Sequence, residues 1–146
     1  IFRASGMPAT TKVTAVLAGL RALGIKKLVL ITNYAERMTE VEMAFLEAEG
    51  FEVLNYRYSG LNDITEQVKI KPEQWYEMTK EMQSSMADGY FLSCGGMRVV
   101  DVIERLEAEL GKPVVTSNQA LLWHCLRKVG YEEPVEGFGR LMRTPL

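Results

Sequence analysis

Gly89-Tyr90-Phe91-Leu92-Ser93-Cys94-Gly95-Gly96-Met97 is the stretch on which the fold turns. Asp88-Gly89 marks a turn, and the uncharged run Tyr90 to Ser93 that follows is too short for a helix; it reads as a strand buried on both faces. Beyond the two glycines, Val99, Ile103, Leu106 and Leu110 recur at three- and four-residue steps. That spacing predicts a helix over 97–110, so Cys94 falls in a strand-to-helix turn.

The same alternation extends outward in both directions. Upstream, Val13, Val16, Leu17, Leu20 and Leu23 predict a helix over 11–23, with Thr10 or Thr11 as N-cap and Gly24 as its stop. Lys27 to Thr32 is a continuous apolar run and a second buried strand. Met38, Val41, Phe45 and Ala48 mark the next helix, ending at Gly50, and Phe51 to Tyr58 reads as a further strand. Residues 60–70 are expected to be irregular. Pro72 fits the first turn of a helix whose inner face is Trp75, Met78, Met82 and Met86. Downstream, Pro113 to Thr116 is the last strand and Ser117 caps a helix to Val129. Strand and helix alternate without repeats or an internal linker, which predicts a single α/β domain: an open, mainly parallel four-stranded sheet with helices on both faces. The tail, residues 131–146, has no clear period and is expected to pack back on the domain.

Bulk properties narrow the function. The chain has 146 residues, 47% hydrophobic and 25% charged, enough to bury a core. A formal net charge of −2 supplies no basic field for nucleic acid or an anionic membrane surface. No apolar run approaches the roughly 20 residues of a spanning helix, and no leader pattern opens the chain, so a cytoplasmic protein is expected. Two distant cysteines, Cys94 and Cys125, and a single histidine form neither a disulfide framework nor a metal-ligand cluster. The opening Ile1-Phe2-Arg3-Ala4-Ser5-Gly6-Met7-Pro8 reads as the middle of a longer protein.

In open parallel sheets, ligands sit beyond the carboxyl ends of the strands. The turns after Thr32, Tyr58, Ser93 and Thr116 are therefore the places to look, and the one at Cys94 stands out. A thiol at the start of a helix meets unpaired N–H groups and the helix dipole, both of which favour the thiolate. Gly95 and Gly96 leave the backbone open to a carboxylate or an enolate oxygen. Spacing alone allows a second reading, in which Cys94 is a small buried hydrophobe and the glycine turn an ordinary anion cradle.

The run 89–97, followed by Asp101-Val102-Ile103-Glu104, by Leu110-Gly111-Lys112-Pro113-Val114-Val115-Thr116-Ser117-Asn118-Gln119-Ala120 and by Trp123, resembles the arylmalonate decarboxylase and maleate isomerase branch of the aspartate/glutamate racemase superfamily. Gly6-Met7-Pro8 through Thr11, Ala22-Leu23-Gly24, Thr32-Asn33-Tyr34 and Gly137-Phe138-Gly139-Arg140-Leu141 are similar to the same family. The resemblance implies two flavodoxin-like α/β halves related by a pseudo-twofold axis, of which this chain looks like the second, and catalysis without metal or organic cofactor. It implies Cys94 as the acid/base thiol, Tyr34 and Asn33 reaching a substrate carboxylate, the N–H groups of Gly95 and Gly96 binding the same anion, and Ile64 lining the substrate. A small carboxylate or dicarboxylate is the implied substrate, and the N-terminal half, or self-association, the implied partner.

Within the branch the residues point two ways. Cys94-Gly95-Gly96 and an apolar Ile64 resemble decarboxylases, whereas Thr116-Ser117-Asn118-Gln119-Ala120 with Trp123-His124 resembles isomerases. Decarboxylation of an arylmalonate-like substrate is preferred; maleate cis-trans isomerisation and Asp/Glu-type racemisation are the alternatives. A non-catalytic α/β anion-binding or assembly module is the reading of another class. Among the remaining candidates, His124 is expected to be a surface or packing residue, and Cys125 to pack in the core beside Leu122 and Val129.

Overall fold

The computed structural model describes residues 2–146; Ile1, where the expected domain opens, lies outside them. Four strands form one fully parallel sheet in the order β2-β1-β3-β4: β1 is Lys27–Thr32, β2 Glu52–Tyr58, β3 Gly89–Ser93 and β4 Val114–Thr116. The helices are α1 (Phe2–Ser5), α2 (Lys12–Ala22), α3 (Glu36–Ala48), α4 (Ile64–Gln67), α5 (Pro72–Glu81), α6 (Ile103–Leu110), α7 (Ser117–Lys128) and α8 (Arg140–Arg143). Every residue of the inner strand β3 is buried, as is every residue of the short edge strand β4. Of the two edge strands, only β2 alternates with solvent.

Side-chain alternation along the strands divides the core into two layers. Leu28 and Leu30 of β1 and Phe91 of β3 meet α2, α3, α7 and α8 through Val16, Leu20, Leu46, Trp123 and Leu141. Val29, Ile31, Tyr90 and Leu92 meet α5 and α6 through Trp75, Tyr76, Ile103, Leu106 and Leu110. Local signals set the helix ends. The Thr11 side chain caps α2 by accepting from the Thr14 N–H at 3.1 Å. Thr116, one residue before the expected Ser117, caps α7 in a reciprocal pair with Gln119. Gly111 ends α6 with φ of 67°, a left-handed conformation that favours glycine.

Four expectations are corrected. The helix expected over 97–110 begins only at Ile103: residues 94–99 are a loop and Val100–Val102 a 3-10 turn, because no side chain caps an earlier start and Val99, Val100 and Val102 are β-branched. Residues 60–70 are not wholly irregular, since Asp63 caps the short α4 by accepting from the Thr65 N–H. The helix α5 stops at Glu81, so Met86 is 67% exposed while Met78 and Met82 still pack on the core. Finally, Cys125, Leu122 and Val129 face solvent on α7, because its buried side is built from Ala120, Trp123, His124 and Arg127.

That side of α7 receives the tail. The Arg127 guanidinium donates to the carbonyls of Tyr131, Glu133, Met142 and Thr144, and Trp123 Nε1 donates to Thr144 as well. The buried Glu107 carboxylate accepts the backbone N–H of Val114 and of Arg140, tying α6 to β4 and the tail. Among the described residues, no helix is long and apolar enough to cross a membrane.

Candidate functional site

The strand order reverses between β1 and β3, and in such sheets the crevice beyond the strand ends at that point is where ligands bind. Thr32 of β1 pairs with Ser93 of β3, so the next residues, Asn33 and Cys94, leave the sheet side by side. Alternation turns both toward the face that carries Ile31 and Leu92. Cys94 is 6% exposed in that layer, with Tyr34 packed against the same cluster. The switch point therefore gathers Cys94, Asn33, Tyr34 and the glycine loop.

The loop replaces the expected helix N-terminus with a local device. The Gly96 N–H donates to Cys94 Sγ at 3.2 Å. The helix dipole contributes nothing here, because α6 starts beyond the loop. Neighbouring side chains approach both glycines, a mobile lysine end at Gly95 and a stiffer valine at Gly96. A Cβ on Gly95 would lie 2.5 Å from Lys12 Nζ, and one on Gly96 would lie 2.9 Å from Val68 Cγ1. Asn118 fixes the loop by donating to the Gly95 carbonyl at 3.0 Å while accepting from Lys12 Nζ at 3.3 Å.

Tyr34 stands between the thiol and the other sheet face. Burial first, then the nearby charges of Cys94 and Glu42, push its hydroxyl above its ordinary value, so at neutral pH it is a proton-bearing donor. Its backbone N–H is held by Thr32 Oγ1 at 3.3 Å, and Thr32 in turn bonds Thr39 of α3 at 2.7 Å. Asn33 has no exposure, and neither end of its side-chain amide finds a partner among the described residues. A buried unpaired amide is costly, roughly 1–3 kcal/mol per group.

Ile64 is not gathered with these residues: it is 70% exposed on α4, and it is Val68, one turn on, that touches Gly96. His124 is buried, stacked on Trp123 and bonded through Nδ1 to Thr10 Oγ1 at 2.7 Å, a packing role. Lys12, Glu42, Ser93 and Asn118 were missed by sequence reasoning. No local pattern singles out Lys12 or Glu42 on their helices, and only the fold brings them to the switch point. Among the described residues, no group of three or more His, Cys, Asp and Glu side chains is placed to hold a metal ion.

Beside this corner, α2 and α3 leave between them a groove of about 590 Å³. Val13, Leu17, Met38, Val41 and Phe45 line it, with Phe91 and Ser93 among the strand residues that reach it and Lys12, Tyr34 and Glu42 as its charged or polar members. Met38, Val41 and Phe45, whose spacing marked the helix, are 56%, 58% and 40% exposed there.

Known proteins share this arrangement of sequence and fold. The arylmalonate decarboxylase of Bordetella bronchiseptica is 35% identical over 141 residues, which cover 94% of this chain and 59% of the relative. A crystal structure of arylmalonate decarboxylase superposes with a TM-score of 0.87 at 34% identity, covering 97% of this chain and 63% of that one. A Nocardia farcinica maleate cis-trans isomerase, solved as a mutant with a covalently bound succinylcysteine intermediate, gives 0.87 at 32% identity, covering 90% of this chain and 54% of that one. This chain thus spans between half and two thirds of the length of these relatives. The family model described as arylmalonate decarboxylase matches residues 1–142, and the chain belongs to that family.

Proposed function

We propose that this chain carries the acid/base cysteine of a cofactor-independent enzyme that makes or breaks a bond at the carbon alpha to a carboxylate. Decarboxylation of an arylmalonate-like diacid is the preferred reaction. The observation that carries the reading is the placement of Cys94 at the β1/β3 switch point, next to the buried unpaired amide of Asn33 and the Tyr34 donor. Loss of carbon dioxide breaks a carbon–carbon bond and leaves its electron pair on the alpha carbon, delocalised as an enediolate. The Tyr34 hydroxyl, the Asn33 amide, the loop N–H groups of Gly95 and Gly96 and the Lys12 ammonium stabilise that charge. Cys94 then passes its proton to the carbon, and the thiolate left behind is reprotonated before the next cycle.

Residues outside this chain complete the site, in keeping with relatives that are considerably longer. Ile64, exposed here, meets substrate or that second part of the enzyme. Two unpaired cysteines support work in a reducing compartment, the cytoplasm.

Maleate isomerisation is the second reading. It is favoured by the near-equal identities to both activities and by the cysteine adduct seen in the Nocardia farcinica isomerase. Assay of the product of the complete reading frame separates the alternatives: carbon dioxide release from arylmalonates is expected. Fumarate from maleate selects the isomerase reading, and inversion of an amino acid the racemase reading. Inactivity on all three classes favours the anion-binding module.

A further inference from the structure

Gly95 and Gly96 share one peptide unit, and its two ends meet different neighbours. Its carbonyl, that of Gly95, accepts from Asn118 Nδ2 at 3.0 Å, while its N–H, that of Gly96, donates to Cys94 Sγ at 3.2 Å. In a planar trans unit the carbonyl and the N–H point in opposite directions. Whatever holds the carbonyl on one side therefore holds the N–H on the other.

Asn118 reaches the loop because β3 and β4 are neighbours. Leu92 pairs with Thr116, so Asn118, two residues further on in α7, stands beside Gly95, three residues further on in the loop. Which end of its amide faces the loop is fixed by Lys12, whose ammonium lies 3.3 Å from Oδ1 and can only donate. Oδ1 is thus occupied, and Nδ2 is left for the carbonyl. Without that contact the unit has little to resist rotation, since glycine lies on both sides of it and tolerates the dihedral angles of either orientation.

We propose that Asn118 is a positioning residue for the reaction at Cys94: by holding the Gly95 carbonyl it keeps the Gly96 N–H facing the thiol and the substrate. The functional meaning rests on the reading of Cys94 as the acid/base thiol. With the unit turned over, the Gly95 oxygen takes the place of the N–H and presents an acceptor, rather than a donor, to the enediolate. Repulsion is greatest where negative charge has grown, so the cost falls on the transition state more than on substrate binding.

Aspartate has the shape of asparagine and the opposite hydrogen-bond character toward the loop. In Asn118→Asp one carboxylate oxygen keeps Lys12, and the other, able only to accept, repels the Gly95 carbonyl and draws the Gly96 N–H toward itself. In Asn118→Ala the unit is merely released. A packing role would rank the near-isosteric Asp variant closest to the parent; positioning ranks it last.

Turnover is measured in the complete enzyme with whichever substrate class the parent accepts. In Asn118→Asp kcat should fall by about tenfold or more, the scale of one charge-assisted hydrogen bond set against the productive orientation, with KM changing less. Asn118→Ala should lie between that variant and the parent. A second readout needs no turnover: hydrogen exchange at the Gly96 amide, followed by NMR in nitrogen-15-labelled protein. Cys94→Ala removes the acceptor and should speed this exchange by about threefold or more in the parent. In the Asn118→Asp background Cys94→Ala should leave it unchanged.

A kcat for Asn118→Asp within about twofold of the parent, or above that of Asn118→Ala, would overturn the proposal. So would a Gly96 amide that answers Cys94→Ala equally in both backgrounds. Asn118 is exposed, and its replacement should leave the circular dichroism spectrum and the urea midpoint in place. If the Asp variant does not fold, the exchange comparison in Asn118→Ala decides in its stead, a reduced response supporting the proposal and an undiminished one overturning it. A parent that turns over nothing counts against the reading of Cys94 alone, because the exchange measurement still decides the role of Asn118.

Discussion

Helices α3 and α6 carry the same kind of apolar stripe in the sequence and meet opposite fates in the fold. On α6, Ile103, Leu106 and Leu110 are 1%, 0% and 8% exposed against β3, β4 and α5. On α3, Leu46 is buried in the core and Met43 packs against it, while Met38, Val41 and Phe45 line the open groove. Helical periodicity shows that a face avoids water; it does not show what covers it. The difference matters for function because the uncovered stripe borders the polar corner of Glu42, Ser93 and Tyr34.

The comparison can be broken at several points. Leu106→Ala removes a fully buried side chain and should lower the unfolding free energy by about 2–5 kcal/mol in urea melts. Glu107→Ala orphans two backbone N–H groups and should cost about 1–3 kcal/mol by the same measurement. Phe45→Ala on the groove should cost less than about 1 kcal/mol. A loss as large as that of Leu106→Ala would show the groove closed in solution, and sedimentation would then reveal whether a second copy closes it.

The smallest effect is one of pH. Burial raises the Glu107 carboxyl, and likewise Glu42, above their unfolded values, so the folded chain holds these protons more tightly than the unfolded chain does. Stability should therefore fall as pH rises from the ordinary carboxylate value through the raised one, and Glu107→Gln should flatten that slope. A slope of opposite sign, or one unchanged in Glu107→Gln, would contradict this assignment.

The alternation of elements was legible because each buried strand is a short apolar run closed by turn residues, and because Thr11, Gly24 and Gly111 act locally. Cys94 was legible for the same reason: a strand end can be counted from the strand itself. The loop after it was not, since Val99, Ile103, Leu106 and Leu110 keep helical spacing even though the helix starts only at Ile103. Nor were the solvent exposure of Cys125 and Val129 and the burial of Arg127. Arg127 is buried because four carbonyls of the tail surround its guanidinium, and no local pattern carries that information. Lys12 and Glu42 were hidden likewise: they lie 82 and 52 positions before Cys94 and reach the switch point only through the fold.

The central claim is that Cys94 supplies the proton, and turnover by Cys94→Ala in the complete enzyme tests it most directly. The account predicts a loss of at least about 10²–10⁴-fold with the circular dichroism spectrum and the urea midpoint preserved. Full activity in that variant, correctly folded, would contradict it.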